Sequence, residues 1–283
     1  MLEAINLVKL GPLMDMTNGI RQTAIGLIDG PVATGHVELE TASLRRLRGT
    51  QESGLACQHG TFVAGILSAK RGSSSPAICP NCTLLIRPIF GENAGNPDPL
   101  SASAADLARA VTDCVEAGAR VLNISASIGG VSRKAEAQAM ERALDLAFRR
   151  QVLVVAAAGN QSEVGSTVIT GHPWTIPVGA CDLQGRPMAY SNVSRAIGTG
   201  GLRAPGERIT SLGADSGQQT SSGSSAAAPF VTGTIALLWS LFPAAAAARI
   251  KLAVTRPFGI RGRSVMPPLL DAWAAYSFLA ASS

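Results

Sequence analysis

Five short apolar runs, none with polar alternation, are separated by longer stretches of helical spacing, and this alternation restricts the fold more than any other feature of the chain. The runs cover residues 23–28, ending at Asp29, then 83–89, 120–124, 152–156 and 175–179. A strand without polar alternation is buried on both faces, which is the condition inside a parallel sheet. Residues 103–117 put Leu107, Ala110, Val111, Cys114 and Val115 on one stripe of a helix. Ser103 and Asp106 have capping-box spacing, and Gly118 supplies a stop. A second helix is expected over roughly 132–150, aligning Met140, Leu144 and Ala147 or Phe148, with Arg149 and Arg150 at the negative end of its dipole. Strand–helix–strand repetition implies an α/β fold, a mostly parallel central sheet with helices on both faces. The Gly- and Ser-rich stretches 72–75 and 213–223 read as loops between core elements, and no repeat is visible. Residues 1–283 are therefore expected to form a single domain.

Composition narrows the function classes. Hydrophobic residues make up 46% and charged residues 15%, enough to bury a large core and unlike a disordered chain. The net charge is +5, but the basic residues are scattered. The densest groups, Arg45, Arg46 and Arg48, then Arg261 and Arg263, have no interleaved aromatics, so they read as solvated surface rather than a nucleic-acid site. An acidic peptide substrate is the lesser alternative. Residues 226–248 carry no charge and are long enough to span a bilayer. Pro229, Gly233 and Pro243 interrupt them, so they read as a buried helix ending before Pro243, with a membrane span the minor alternative. Residues 1–10 are broken by Glu3 and Lys9 and are not a secretory signal. The 5 cysteines leave at least one thiol free if pairing stays within the chain. Cys79 and Cys82 have the spacing of half a zinc site without a second half, so a local disulfide or two free thiols are favoured. No cofactor and no metal are expected, and no calcium loop is recognisable.

A hydrolytic serine needs a base to take its proton, an acid to hold that base, and donors for the oxyanion. The chain has 3 histidines, so every candidate base can be weighed. His59 opens His59-Gly60-Thr61-Phe62-Val63-Ala64-Gly65, where small residues let a helix begin tight against a reacting centre. His36 and His172 read as structural or surface residues. Asp29 closes an apolar run and is followed by the turn Gly30-Pro31. Ligand chemistry gathers at the carboxyl ends of strands in open α/β sheets, so a carboxylate there can orient an imidazole; the plain alternative is a turn-starting aspartate. Ser222-Gly223-Ser224-Ser225 precedes an alanine-rich apolar run and presents hydroxyls at a helix N-terminus. All three serines suit helix capping equally well, so local chemistry does not choose between them. Gly159-Asn160 ends the run 154–160, and the Asn160 amide can face a tetrahedral intermediate or simply make a turn.

Taken together, these segments resemble the subtilisin-like serine proteases. Residues 24–30 resemble the family's strand ending in Asp, with His36 where the family often has a His before an acidic residue. Residues 59–65 resemble His-Gly-Thr-x-Val-Ala-Gly, residues 154–160 the strand ending in Ala-Ala-Gly-Asn, and residues 223–233 Gly-Thr-Ser-x-Ala-x-Pro-x-Val-x-Gly. The order Asp, His, Ser is that of the family. Counting back from Pro229 then selects Ser225, which makes Asp29, His59 and Ser225 the implied triad and Asn160 the oxyanion donor. The resemblance implies a subtilisin-like three-layer fold and extends over residues 23–242. Leu122-Asn123-Ile124-Ser125 and Ala204-Pro205-Gly206 match further family segments. By the same analogy Ser125, Ala126, Ser127, Gly129, Ala157, Ala158, Gly159 and Gly171 line the substrate pocket, together with Ile128 and Gly130, and favour an uncharged side chain. His172-Pro173 falls where the family has a cis bond, so cis is expected there.

Departures from the pattern fall beside the catalytic positions. Gly30-Pro31 replaces the usual Ser/Thr-Gly, Phe62 replaces a second His, and Ser224 replaces Thr. Two extra residues lie between Ser125 and Gly129-Gly130. The stretch from Cys57 and His59 through Leu67, with Cys79-Pro80-x-Cys82, is similar to the cyanobactin-type proteases that mature ribosomal peptide precursors. Secreted relatives carry a signal and a long pro-segment, whereas 28 residues precede Asp29 here, so a cytoplasmic location or a trimmed chain is expected. The resemblance implies a serine endopeptidase that cleaves a defined site in a precursor peptide. The alternatives are a general degradative protease and a catalytically silent peptide-binding module. The expected partner is a peptide or protein substrate, not a nucleic acid or a membrane.

Overall fold

The computed structural model describes residues 2–48, 54–90, 101–125, 127–128, 134–256 and 264–281. In chain order the elements are α1 (Leu2–Leu7), α2 (Gly11–Met16), β1 (Ala24–Asp29), β2 (Ser43–Arg46), α3 (Gly54–Ser68), β3 (Thr83–Pro88), β4 (Ser101–Ala102), α4 (Ala104–Glu116), β5 (Val121–Ile124), β6 (Ser127–Ile128) and α5 (Lys134–Arg149). They continue with β7 (Leu153–Ala157), α6 (Val168–Gly171), β8 (Thr175–Cys181), α7 (Arg195–Gly200), β9 (Leu202–Pro205), β10 (Ile209–Leu212), β11 (Gln218–Ser221), α8 (Ser224–Leu241), α9 (Ala247–Thr255) and α10 (Ala272–Ala280).

Seven strands form one parallel sheet in the order β2-β3-β1-β5-β7-β8-β9. The five apolar runs supply β1, β3, β5, β7 and β8, and β5 and β8 are buried at every residue. Helices α4 and α5 cover one face, and α3 and α8 cover the other, which gives the three layers. Ser103 caps α4 by accepting from the Asp106 N–H at 3.0 Å. The charge-free stretch is the core helix α8, buried along nearly its whole length. Phe230, Ile235, Leu237, Leu238 and Trp239 are fully enclosed there, each contributing about 1.5–3 kcal/mol relative to exposure.

The strand order reverses beside β1: from β1 the chain passes to the edge strand β2 and back to β3 on one side, then through β5 onward on the other. Such a reversal opens a crevice at the carboxyl edge, where Asp29 ends β1 and Ser125 follows β5.

Two expectations change. The stretch 213–223 is not all loop, because Gln218–Ser221 pairs antiparallel with Ile209–Leu212 outside the main sheet. Its residues are polar and half-exposed, so they carry no apolar signal. The His172–Pro173 bond is trans, since no cis peptide is present among the described residues. The extended His172 backbone leads α6 directly into β8, with Trp174 and Thr175 N–H groups bonded back to His172. All 5 cysteines are free and buried, and burial pushes Cys114 and Cys181 up to about 12, away from reactivity. Arg45 and Arg46 donate to Ala117 O and Thr34 Oγ1; Arg261 and Arg263 lie outside the described residues.

Helix α3 reaches the sheet through glycine. A Cβ on Gly60 would fall 2.2 Å from the Pro31 carbonyl oxygen, and one on Gly30 would fall 1.8 Å from the Ala56 carbonyl oxygen. Helix propensity alone would favour Gly60→Ala by about 1 kcal/mol. An overlap with backbone has no rotamer to relieve it, so a net loss of about 1–3 kcal/mol in urea unfolding is expected. Gly35→Ala, with open space and ordinary φ, is expected to be neutral or slightly stabilising.

Candidate active site

Asp29 is fully buried at the end of β1. Its Oδ1 accepts from the Gly30 N–H at 2.6 Å and from His59 Nδ1, also at 2.6 Å. His59 lies in the second turn of α3, on the stretch that the glycine contacts press against the turn after Asp29. The bond to Nδ1 fixes the tautomer and leaves Nε2 facing the reaction. Burial of the ring disfavours its charged form, but the charge and hydrogen bond of Asp29 outweigh that, so His59 titrates above its ordinary value. Asp29 Oδ2 is buried without a hydrogen bond among the described residues, where Gly30 in place of Ser or Thr offers no hydroxyl.

The three serines, indistinguishable by local chemistry, separate by their bonds. Ser222 Oγ accepts from the Arg208 N–H at 2.8 Å. Ser224 Oγ accepts from the Gly159 N–H at 3.1 Å and is buried. Ser225 is half-exposed, and its hydroxyl makes no hydrogen bond among the described residues. Nor do its hydroxyl and His59 Nε2 bond each other in this structure, a separation common where no substrate is bound.

Pro229 explains how Ser225 is held. Proline has no N–H, so the carbonyl four residues back, that of Ser225, loses its helical donor. The Ser125 hydroxyl donates to that carbonyl at 3.4 Å. Ser125 in turn accepts from Asn123 Nδ2 at 2.8 Å, and Asn123 Oδ1 accepts from Thr232 Oγ1 at 2.8 Å. Asn123 and Thr232 are fully buried. This tie between β5 and α8 was not read from the sequence; its signal was an amide inside an apolar strand and a hydroxyl inside an apolar helix.

The oxyanion side is built at the start of α8. Asn160 Oδ1 accepts from the Ser224 N–H at 2.9 Å, which leaves the amide Nδ2 and the Ser225 N–H as donors at one helix end. Gly223 permits this, with φ of 137° and no room for a Cβ, which would lie 2.8 Å from Asn160 Nδ2. The Gly206 carbonyl receives the Gly223 N–H at 2.8 Å, so the Ala204-Pro205-Gly206 turn backs the serine loop.

Of the expected pocket residues, Ser125 and Gly159 bond directly to the serine segment. Ala157 and Ala158 lead β7 into Gly159, and Ser127 lies in β6, paired with Ser101 of β4. Gly171 ends α6, exposed, its N–H bonded to Thr167 O and not to the site. Ala126, Gly129 and Gly130 lie outside the described residues. His36 Nδ1 caps a short 3₁₀ turn by accepting from the Glu38 N–H. His172 serves the Trp174 turn and faces Asp145 at 3.4 Å. Among the described residues no group of three metal-ligating side chains occurs.

Known proteins resemble this chain in sequence and fold. The sequence model of the Subtilase family matches residues 21–257. The structure resembles the prenylagaramide maturation protease PagA, with TM-score 0.82 and 30% identity, covering 95% of this chain and 98% of that one. It also resembles a mutant of the protease domain of PatA, with TM-score 0.83 and 29% identity, covering 94% and 98%. Subtilisin DY of Bacillus licheniformis is 27% identical over 233 residues, 80% of each chain.

Thr232→Val should strand the buried Asn123 Oδ1 and cost about 1–3 kcal/mol in urea unfolding, while Thr232→Ser should keep most of the stability.

Proposed function

The chain belongs to the subtilase family of peptidases, and within it we propose cleavage of a defined site in a ribosomally made precursor peptide, with Ser225, His59 and Asp29 as the acting groups. Ser225 Oγ attacks the scissile carbonyl while His59 Nε2 takes its proton. Asp29 holds the tautomer and stabilises the imidazolium. The developing oxyanion is met by Asn160 Nδ2 and the Ser225 N–H. His59 returns the proton to the leaving amine, and the C–N bond breaks. Water then enters, gives its proton to His59 and releases the acid from the Ser225 ester, which restores the hydroxyl.

One observation carries this reading: among the described residues Ser225 alone of the three serines keeps an uncommitted hydroxyl, with the base fixed by the 2.6 Å Asp29–His59 bond. The precursor as substrate is supported by the likeness to the prenylagaramide maturation protease over 98% of that chain. Ser125, Ala157, Ala158, Gly159 and Gly171 are small and uncharged, so the pocket is read as taking an uncharged side chain.

A fluorophosphonate should give a single adduct on Ser225 by peptide mapping. Ser225→Ala should abolish it, and Ser222→Ala should retain it; an unlabelled, folded parent would overturn the assignment. Asn160→Ala should lower kcat by about 10²–10³, the magnitude that loss of the equivalent donor has in subtilisin itself. The base must be neutral, and Asp29 raises its pKa. The acid limb of kcat/KM should therefore fall above the ordinary imidazole value of about 6.5. Asp29→Asn should remove that upward shift along with most of the rate.

A further inference from the structure

On the face opposite α3 and α8, helices α4 and α5 leave a groove of about 470 Å³ between them. Its floor is apolar, from Ala108, Ala143 and Leu146, and Arg109, Arg142 and Arg149 line it. Its acid, Asp113, is already held by Arg87 Nε at 2.7 Å, and Arg109 is paired with Asp106. Arg142 and Arg149 make neither an ion pair nor a hydrogen bond among the described residues. The other acids of α5 do not line the groove, and Asp145 faces His172 instead. Two guanidinium groups without an ion pair among the described residues thus line an apolar trough.

We infer that this groove is an exosite for an acidic segment of the peptide substrate, carried away from the scissile bond. The inference rests on the peptidase reading and names the substrate class. Guanidinium forks match carboxylates, and an apolar floor accepts the methylene stems of glutamate. Arg142 and Arg149 are two helical turns apart, about 10.5 Å. An extended segment in the left-handed helix that unfolded chains favour repeats its face every three residues, about 9.3 Å. Acids spaced i, i+3 therefore meet both arginines. The groove is also connected to the cleft. Helix α4 starts two residues after β4, and β4 pairs with β6, just beyond Ser125. Crossover helices run antiparallel to their strands, so the α4 and α5 N-termini sit at the carboxyl edge. A bound segment leads from the cleft edge across the back of the sheet.

The test uses the Ser225→Ala protein and two short fluorescein-labelled peptides, one with a Glu-Ala-Ala-Glu repeat and one with Gln-Ala-Ala-Gln, read by anisotropy. The glutamate peptide should bind, and the glutamine peptide should not. R142E/R149E should weaken glutamate-peptide binding about tenfold, and added salt should weaken it in the parent. With otherwise wild-type enzyme, R142E/R149E should raise KM for a substrate with the acidic tail and leave a short neutral substrate unchanged. Equal binding of both peptides, no binding of either, or indifference to R142E/R149E overturns the exosite. Arginine-dependent binding without cleavage of any substrate would keep the exosite and overturn the peptidase reading instead.

Discussion

The base at the reacting end of this molecule depends on a backbone-to-backbone approach that two glycines allow. Helix α3 lies so close to the turn after β1 that a methyl group on Gly30 or Gly60 would occupy the space of a carbonyl oxygen. That approach puts His59 Nδ1 at 2.6 Å from a carboxylate with no access to water. An aspartate stripped of solvent is costly unless it is bonded. The Gly30 N–H and the imidazole supply those bonds at a single oxygen. The same desolvation strengthens the hold of Asp29 on the imidazolium, which is why the ring titrates high despite its own burial.

The serine is positioned by a second device. Pro229 frees the Ser225 carbonyl from the helix, and a chain of hydroxyl and amide groups, Ser125, Asn123 and Thr232, ties that segment of α8 to β5. Asn160 and Gly223 complete the arrangement from the β7 side. Base and nucleophile thus come from different sheet contacts: α3 against β1, and α8 against β5 and β7. The two meet where β1 pairs with β5, since the Ser125 N–H donates to Ile28 O at 3.4 Å, one residue before Asp29.

The opposite face of the sheet has a different character. There α4 and α5 pack through small residues and leave Arg142 and Arg149 along a trough without an ion pair among the described residues. A peptidase that reads a site within a longer peptide gains discrimination from contacts far from the scissile bond, since such contacts select a substrate without altering the chemistry.

Patterning along the chain was enough to set the layers and five of the seven strands of the main sheet. Runs buried on both faces must be apolar throughout, and that requirement is visible without coordinates in β1, β3, β5, β7 and β8. It also placed Asp29 at the end of β1 and Asn160 just after β7, but it began a helix at His59, whereas α3 starts at Gly54 and holds His59 in its second turn. The polar hairpin strand 218–221 escaped because pairing outside a core leaves no apolar pattern. The trans His172–Pro173 bond escaped because family analogy, and no property of those two residues, had set the expectation. Family analogy also pointed to Ser225, but the physical ground for preferring it over Ser222 and Ser224 came from the tertiary structure alone. All three share the same local chemistry, and what separates them is which hydroxyl a distant backbone N–H has already claimed: Arg208 for Ser222, Gly159 for Ser224, and none among the described residues for Ser225. Hydrogen-bond commitment between residues remote in the chain is a property of packing, and no local pattern encodes it.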